Sequence, residues 1–88
     1  MKPAFRASFE RDVKRIRSKR ILAGVREAIL KVEAAAHWSQ IPDIKEMQGS
    51  AAAFRIRIGD YRIGLFIEGD LAEFVRVLRR RDIYRKFP

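Results

Sequence analysis

An α+β fold is predicted by three observations. A 3.6-residue apolar period occupies the first half of the chain, a two-residue period replaces it in the second half, and two Gly-Asp pairs divide that second half into strands. The expected layout is a short N-terminal strand, a two-helix hairpin, then a three-stranded antiparallel meander. Both helices should cover one face of the sheet. At 88 residues the chain is expected to form a single domain over 1–88, with one core.

The opening strand is placed at Pro3 to Arg6, with Phe5 as its apolar residue. Ser8 offers an N-cap hydroxyl, and Phe9, Val13 and Ile16 follow at helical spacing. The outer face of this helix carries Arg11, Lys14, Arg15 and Arg17. Ser18 is a second cap, after which Ile21, Leu22, Val25, Ala28, Ile29, Val32, Ala35 and Ala36 keep a steady helical period. Gly24 costs that helix about 1 kcal/mol relative to Ala and is read as a point of close approach by the first helix. The two helices should share one apolar seam. His37, at the end of the second helix, is read as interacting with the helix dipole, and Trp38 as an anchor. Trp38 to Ser50 reads as a loop punctuated by Pro42 and Gly49 and pinned by Ile41, Ile44 and Met47.

From Phe54 the period is two. Across a Gly59-Asp60 turn, Ile58 should face Tyr61, Ile56 face Ile63, and Phe54 face Leu65. That register puts Arg57 opposite Arg62 and Arg55 opposite Gly64 on the other face, with the Arg57 and Arg62 side chains leaving the sheet side by side. Like charges placed directly opposite destabilise a sheet, and Gly64 leaves a gap through which a ligand could approach the backbone. Gly69-Asp70 turns the chain into a third strand, Leu71 to Leu78. A strict two-residue turn would bury Arg76 among isoleucines at a cost of several kcal/mol. A three-residue turn or a bulge instead sets Arg76 opposite Gly64, and this is the expected register. The result is an arginine face holding Arg55, Arg57, Arg62 and Arg76.

Composition points to a polyanion. Lys and Arg number 20 against 11 Asp and Glu, for a formal net charge of +9. Arginine dominates the basic set, and its planar fork suits phosphate. The absence of cysteine excludes a disulfide scaffold, a zinc finger and a thiol nucleophile. No apolar run is long enough to span a membrane, and no signal-peptide stretch opens the chain, so a cytoplasmic protein with no membrane contact is expected. His37 is the only histidine, which argues against two-histidine chemistry. No metal or cofactor is expected.

The run Phe54-Arg55-Ile56-Arg57-Ile58-Gly59-Asp60-Tyr61-Arg62-Ile63 resembles the central motif of the RelE/ParE toxin superfamily. Val77-Leu78-Arg79-Arg80-Arg81-Asp82-Ile83-Tyr84-Arg85 is similar to its C-terminal motif, and the order of elements also agrees. The resemblance covers essentially the whole chain. It implies a toxin held inactive by a cognate antitoxin, here expected to be acidic. RelE-like members cut mRNA in the ribosomal A site, whereas ParE-like members inhibit DNA gyrase. By position, the resemblance assigns catalytic roles to Arg57, Arg62, Arg80 and Tyr84. RNA contacts are expected from Arg55, Arg76, Arg79 and Arg81, and from Arg11, Lys14 and Arg15 on the first helix.

Such a site cleaves RNA by letting the 2′-OH attack the adjacent phosphorus, while arginines stabilise the extra charge. Arg79 stands where many members carry His, and Arg55 and Arg57 stand where some carry Lys. Arginine keeps its proton, so Tyr84 is left as the expected shuttle on that face, unless it only packs Ile83 and Phe87 against the sheet. Three functions stay open: a ribosome-dependent mRNA endonuclease, a gyrase-inhibiting toxin, and an RNA-binding module without cleavage.

Overall fold

The strands are β1 (Lys2–Phe5), β2 (Ile44–Glu46), β3 (Ala53–Ile58), β4 (Tyr61–Glu68) and β5 (Leu71–Arg79); the helices are α1 (Ala7–Arg15), α2 (Lys19–Ala34) and α3 (Arg80–Lys86). The structure, a computed structural model, describes all 88 residues. The predicted meander is present as β3-β4-β5, inside a larger sheet of order β1-β5-β4-β3-β2. The sheet is mixed, because β1 pairs with β5 in parallel, Lys2 beside Leu71 and Phe5 beside Phe74.

The β3–β4 hairpin has the register read from its turn, with Arg57 opposite Arg62 and Arg55 opposite Gly64. On β5, Arg76 does stand opposite Gly64. The turn at Gly69-Asp70 is nevertheless a two-residue one, since Glu68 pairs with Leu71. A bulge at Val75 shifts the register, because Gly64 pairs with Arg76 while Leu65 pairs with Phe74. The bulge lets Phe74 and Val77 face the main core while Val75 joins a second cluster on the opposite side.

The main core packs Phe9 of α1 and Ile21, Val25, Ala28 and Val32 of α2 onto Phe54, Ile56, Ile63, Leu65, Phe74 and Val77. The two helices do not close into one seam. An apolar groove of about 570 Å³ runs between them, lined by Phe5, Phe9, Val13, Leu22, Ile29 and Leu30 among others.

Several local expectations are corrected. Ser18 caps α2, accepting from the Ile21 amide at 3.2 Å, but Ser8 is not a cap. Helix α1 starts at Ala7 behind Arg6, and the Ser8 hydroxyl donates to the carbonyl of Val75 at 2.6 Å. Gly24 does admit a close neighbour, yet that neighbour is the Ile58 side chain rather than α1. The expected loop contains a 3-10 turn at Trp38–Gln40 and the strand β2. His37 caps that 3-10 turn, its side chain accepting from the Ser39 amide. The C-terminal residues form α3, which covers part of the sheet face opposite α1 and α2 by burying Ile83 and Phe87 against Ala53 and Val75. No helix is long and apolar enough to cross a membrane.

Candidate functional site

Alternation along β3 sends Arg55 and Arg57 away from the main core, and the hairpin register brings Arg62 beside them. The three arginines then diverge. Arg57 extends into solvent and meets Asp43 at 3.4 Å. Arg62 folds back over the β3–β4 turn, where one Nη donates to the carbonyls of Gly59 and Tyr61, both at 2.9 Å. It is only 7 % exposed, and its buried Nε has no partner. So Arg57 and Arg62 pair in register as expected but do not emerge as two exposed neighbours. The turn carbonyls draw Arg62 inward.

Burial, and then the charges of Arg55, Arg80 and Arg57, lower the Arg62 pKa, with Tyr84 opposing them. A guanidinium held this way still carries its charge at neutral pH. It is therefore a fixed cation in a setting that favours an incoming anion. The cleft above it holds about 350 Å³ and is lined by Asp43, Ile44, Lys45, Arg55, Arg57 and Arg62.

Arg55 forms the wall between this cleft and a second one lined by Met47, Gln48, Tyr84 and Phe87 among others. Tyr84 is exposed and stands with its ring 5.8 Å from the Arg55 guanidinium carbon. It borders that cleft with Phe87 but stays outside the cluster in which Ile83 and Phe87 are buried. At the junction of β5 and α3, Arg79, Arg80 and Arg81 line a third cleft with Asp60. There Arg79 pairs with Asp60 at 3.2 Å and lies over the Tyr61 ring.

Two expected features of this face are absent. Arg76 turns to α1, where Asp12 takes its Nε at 2.7 Å and its Nη2 at 3.1 Å. That pairing removes it from the free arginines, and hydrogen bonding to Asp12 raises its pKa. The gap at Gly64 is not open to a ligand, because the Phe87 ring fills it. Arg11, Lys14 and Arg15 are exposed on α1, which packs along β5 rather than beside the β2–β4 cleft. Nowhere do three His, Asp or Glu side chains converge as metal ligands would.

Sequence reasoning missed Asp43 and Lys45, which reach the cleft only through β2, a strand of three residues with too little length for a period. It also missed Asp12, one of two acids in α1, whose role depends on contact with distant β5.

A mixed sheet with two helices on one face and a cationic cleft on the other defines a small α+β domain built around a buried arginine. The family model for the ParE toxin of type II toxin-antitoxin systems, parDE, matches residues 4–84. Toxin RelE3 of Methanocaldococcus jannaschii is 50% identical over 46 residues, 52% of this chain and 52% of that protein. The alignment thus spans about half the length of that curated relative. The RelB-RelE antitoxin-toxin complex from Methanococcus jannaschii superposes with a TM-score of 0.80 at 33% identity, covering 97% of this chain and 99% of that one. The RelBE2 toxin-antitoxin complex from Mycobacterium tuberculosis shares the fold, with a TM-score of 0.69 at 24% identity over 90% of this chain and 96% of that one. The chain belongs to the RelE/ParE superfamily of toxins of type II toxin–antitoxin systems.

Proposed function

We propose that this chain is the toxin of a type II toxin–antitoxin pair and that it cuts messenger RNA on the ribosome, in the cytoplasm, without a metal ion. The observation that carries the reading is Arg62. It is a buried guanidinium with an unpartnered Nε, at a cleft whose other cations are Lys45, Arg55 and Arg57. A phosphate seated there would gain charge-assisted hydrogen bonds and relieve the repulsion among the arginines. As the 2′-OH attacks phosphorus, negative charge grows on the phosphoryl oxygens, and donors fixed in advance stabilise that charge more than they stabilise the ground state. Arg80 adds positive potential from the start of α3. Tyr84, exposed over Arg55, offers a ring on which a base can stack. The ribosome supplies the in-line geometry.

The partner expected to silence it is an acidic antitoxin. An amphipathic helix of such a protein could lay apolar side chains in the groove between α1 and α2, with carboxylates toward Lys14 and Arg26 on its rim.

Translation of a defined mRNA in vitro with the purified chain, followed by primer extension, tests the nuclease reading. Discrete in-frame cuts are expected from the native chain and far fewer from Arg62→Ala. A second reading, gyrase inhibition, is favoured by the matched family model being that of ParE. Intact mRNA together with inhibited supercoiling would establish that one instead.

A further inference from the structure

The segment between Pro42 and Met47 gives the cleft two groups that the arginines cannot replace. Ile44 pairs with Ile56 and packs on the main core, so its neighbours Asp43 and Lys45 stand on the arginine side. Lys45 is in register with Arg55. Asp43 lies beside Arg57, accepting its amide on the main-chain carbonyl at 3.1 Å and approaching its guanidinium at 3.4 Å. Among the six residues lining the cleft, Asp43 is the only carboxylate and Lys45 the only cation able to release a proton.

Asp43 is also the one non-glycine residue with positive φ, at 61°. A left-handed conformation is strained for a residue with a Cβ, less so for Asp. Both side chains of the Asp43–Arg57 pair are more than half exposed, and an exposed pair contributes little to stability. What the backbone conformation accompanies is a carboxylate at the mouth of an otherwise cationic cleft.

We propose that Asp43 and Lys45 are the proton-transfer pair of this cleft, acting on the 2′-OH and the 5′-oxygen of the scissile RNA linkage. This rests on the endoribonuclease reading and goes beyond it by assigning its acid and base. The Asp43 carboxylate takes the proton from the 2′-OH as the O2′–P bond forms. The P–O5′ bond breaks, and the Lys45 ammonium gives its proton to the departing 5′-oxygen. The products are a 2′,3′-cyclic phosphate and a 5′-hydroxyl, and the proton on Asp43 returns to the Lys45 amine through water. Arg57 and Arg55 on β3 face the two groups, with Arg62 on β4 in the same cleft. All three stay protonated and hold the phosphoryl charge.

Single-turnover cleavage on programmed ribosomes tests the pair, with Asp43→Asn, which tolerates the same backbone, and Lys45→Arg, which keeps the charge. Each variant should cut about 10²–10⁴-fold more slowly than the native chain. An mRNA with sulfur in place of the bridging 5′-oxygen releases a thiolate that needs no proton. It should restore Lys45→Arg to within about threefold of native and leave Asp43→Asn slow. Variants that cut as fast as native, or failure of the sulfur substrate to rescue Lys45→Arg, would overturn the pair. In those cases native cleavage would keep the nuclease reading in place. A native chain that leaves every mRNA intact would remove both.

Discussion

The ring of Phe87 lies on Gly64: a Cβ at that glycine would stand 2.6 Å from two ring carbons. Phe87 and Ile83 are the buried anchors of α3, so the absence of a side chain at Gly64 is what lets that helix dock. Gly64→Ala should push the ring out of its seat and cost about 1–3 kcal/mol in a urea melt. Because Arg80 and Tyr84 ride on α3, mRNA cleavage should fall as well, even at temperatures where the variant is fully folded.

Arg62→Ala should separate activity from stability. The substitution forfeits two hydrogen bonds to turn carbonyls but removes a buried charge that Arg55, Arg57 and Arg80 repel. These effects oppose each other, so stability should change by about 1 kcal/mol or less, while cleavage drops about 10²-fold or more. A phosphate-rich polyanion such as a short RNA should raise the melting temperature of the native chain and raise that of Arg62→Ala less.

Asp12 is a buried acid that accepts three hydrogen bonds, two from Arg76 and one from the Val77 amide. Asp12→Ala leaves a half-buried guanidinium without its partner and should cost about 3–5 kcal/mol. The contribution from Arg76 has a defined pH window. Its pKa is raised in the folded state, so its stabilisation is complete below the ordinary arginine value and is lost only as pH rises through the still higher folded one. Alkaline titration from neutral pH to about 10 should therefore leave this contact intact, as read by the melting temperature.

Tyr84 should act through its ring. It is exposed and stands over Arg55, with no hydrogen bond to its hydroxyl. Tyr84→Phe is expected to keep cleavage within about threefold of native, and Tyr84→Ala to lose about 10- to 100-fold through weaker RNA binding. Single-turnover titration against ribosome concentration distinguishes a change in affinity from a change in rate.

What could be read from the sequence was local. The Gly59-Asp60 turn fixes the hairpin register, and with it Arg57 against Arg62. Arg76 cannot lie unpaired among isoleucines, and that cost places it opposite Gly64. Where that side chain then goes depends on Asp12, 64 residues away, and no periodicity reports such a pair. The ring in the Gly64 gap and the parallel pairing of β1 are hidden for the same reason, since each is a contact between distant segments. Asp43 and Lys45 were obscured by brevity, because β2 follows Pro42 and ends after three residues. The inward turn of Arg62 was hidden because its acceptors are backbone carbonyls, which look alike in every sequence.

The pairing of β1 with β5 sets an order on assembly. Beyond Arg6, whose amide still reaches the Phe74 carbonyl, the ladder is continued by side chains of α1, since the Ser8 hydroxyl reaches the Val75 carbonyl across 67 residues and Asp12 receives the Val77 amide. Strand β1 therefore has no sheet partner until β5 has been made, and α3, which carries Arg80 and Tyr84, comes later still. Such high contact order makes closure of the sheet a slow, cooperative event. A nascent chain short of β5 has an incomplete sheet and no α3, so Arg80 and Tyr84 join the cleft of β2–β4 residues only after β5 has been synthesised.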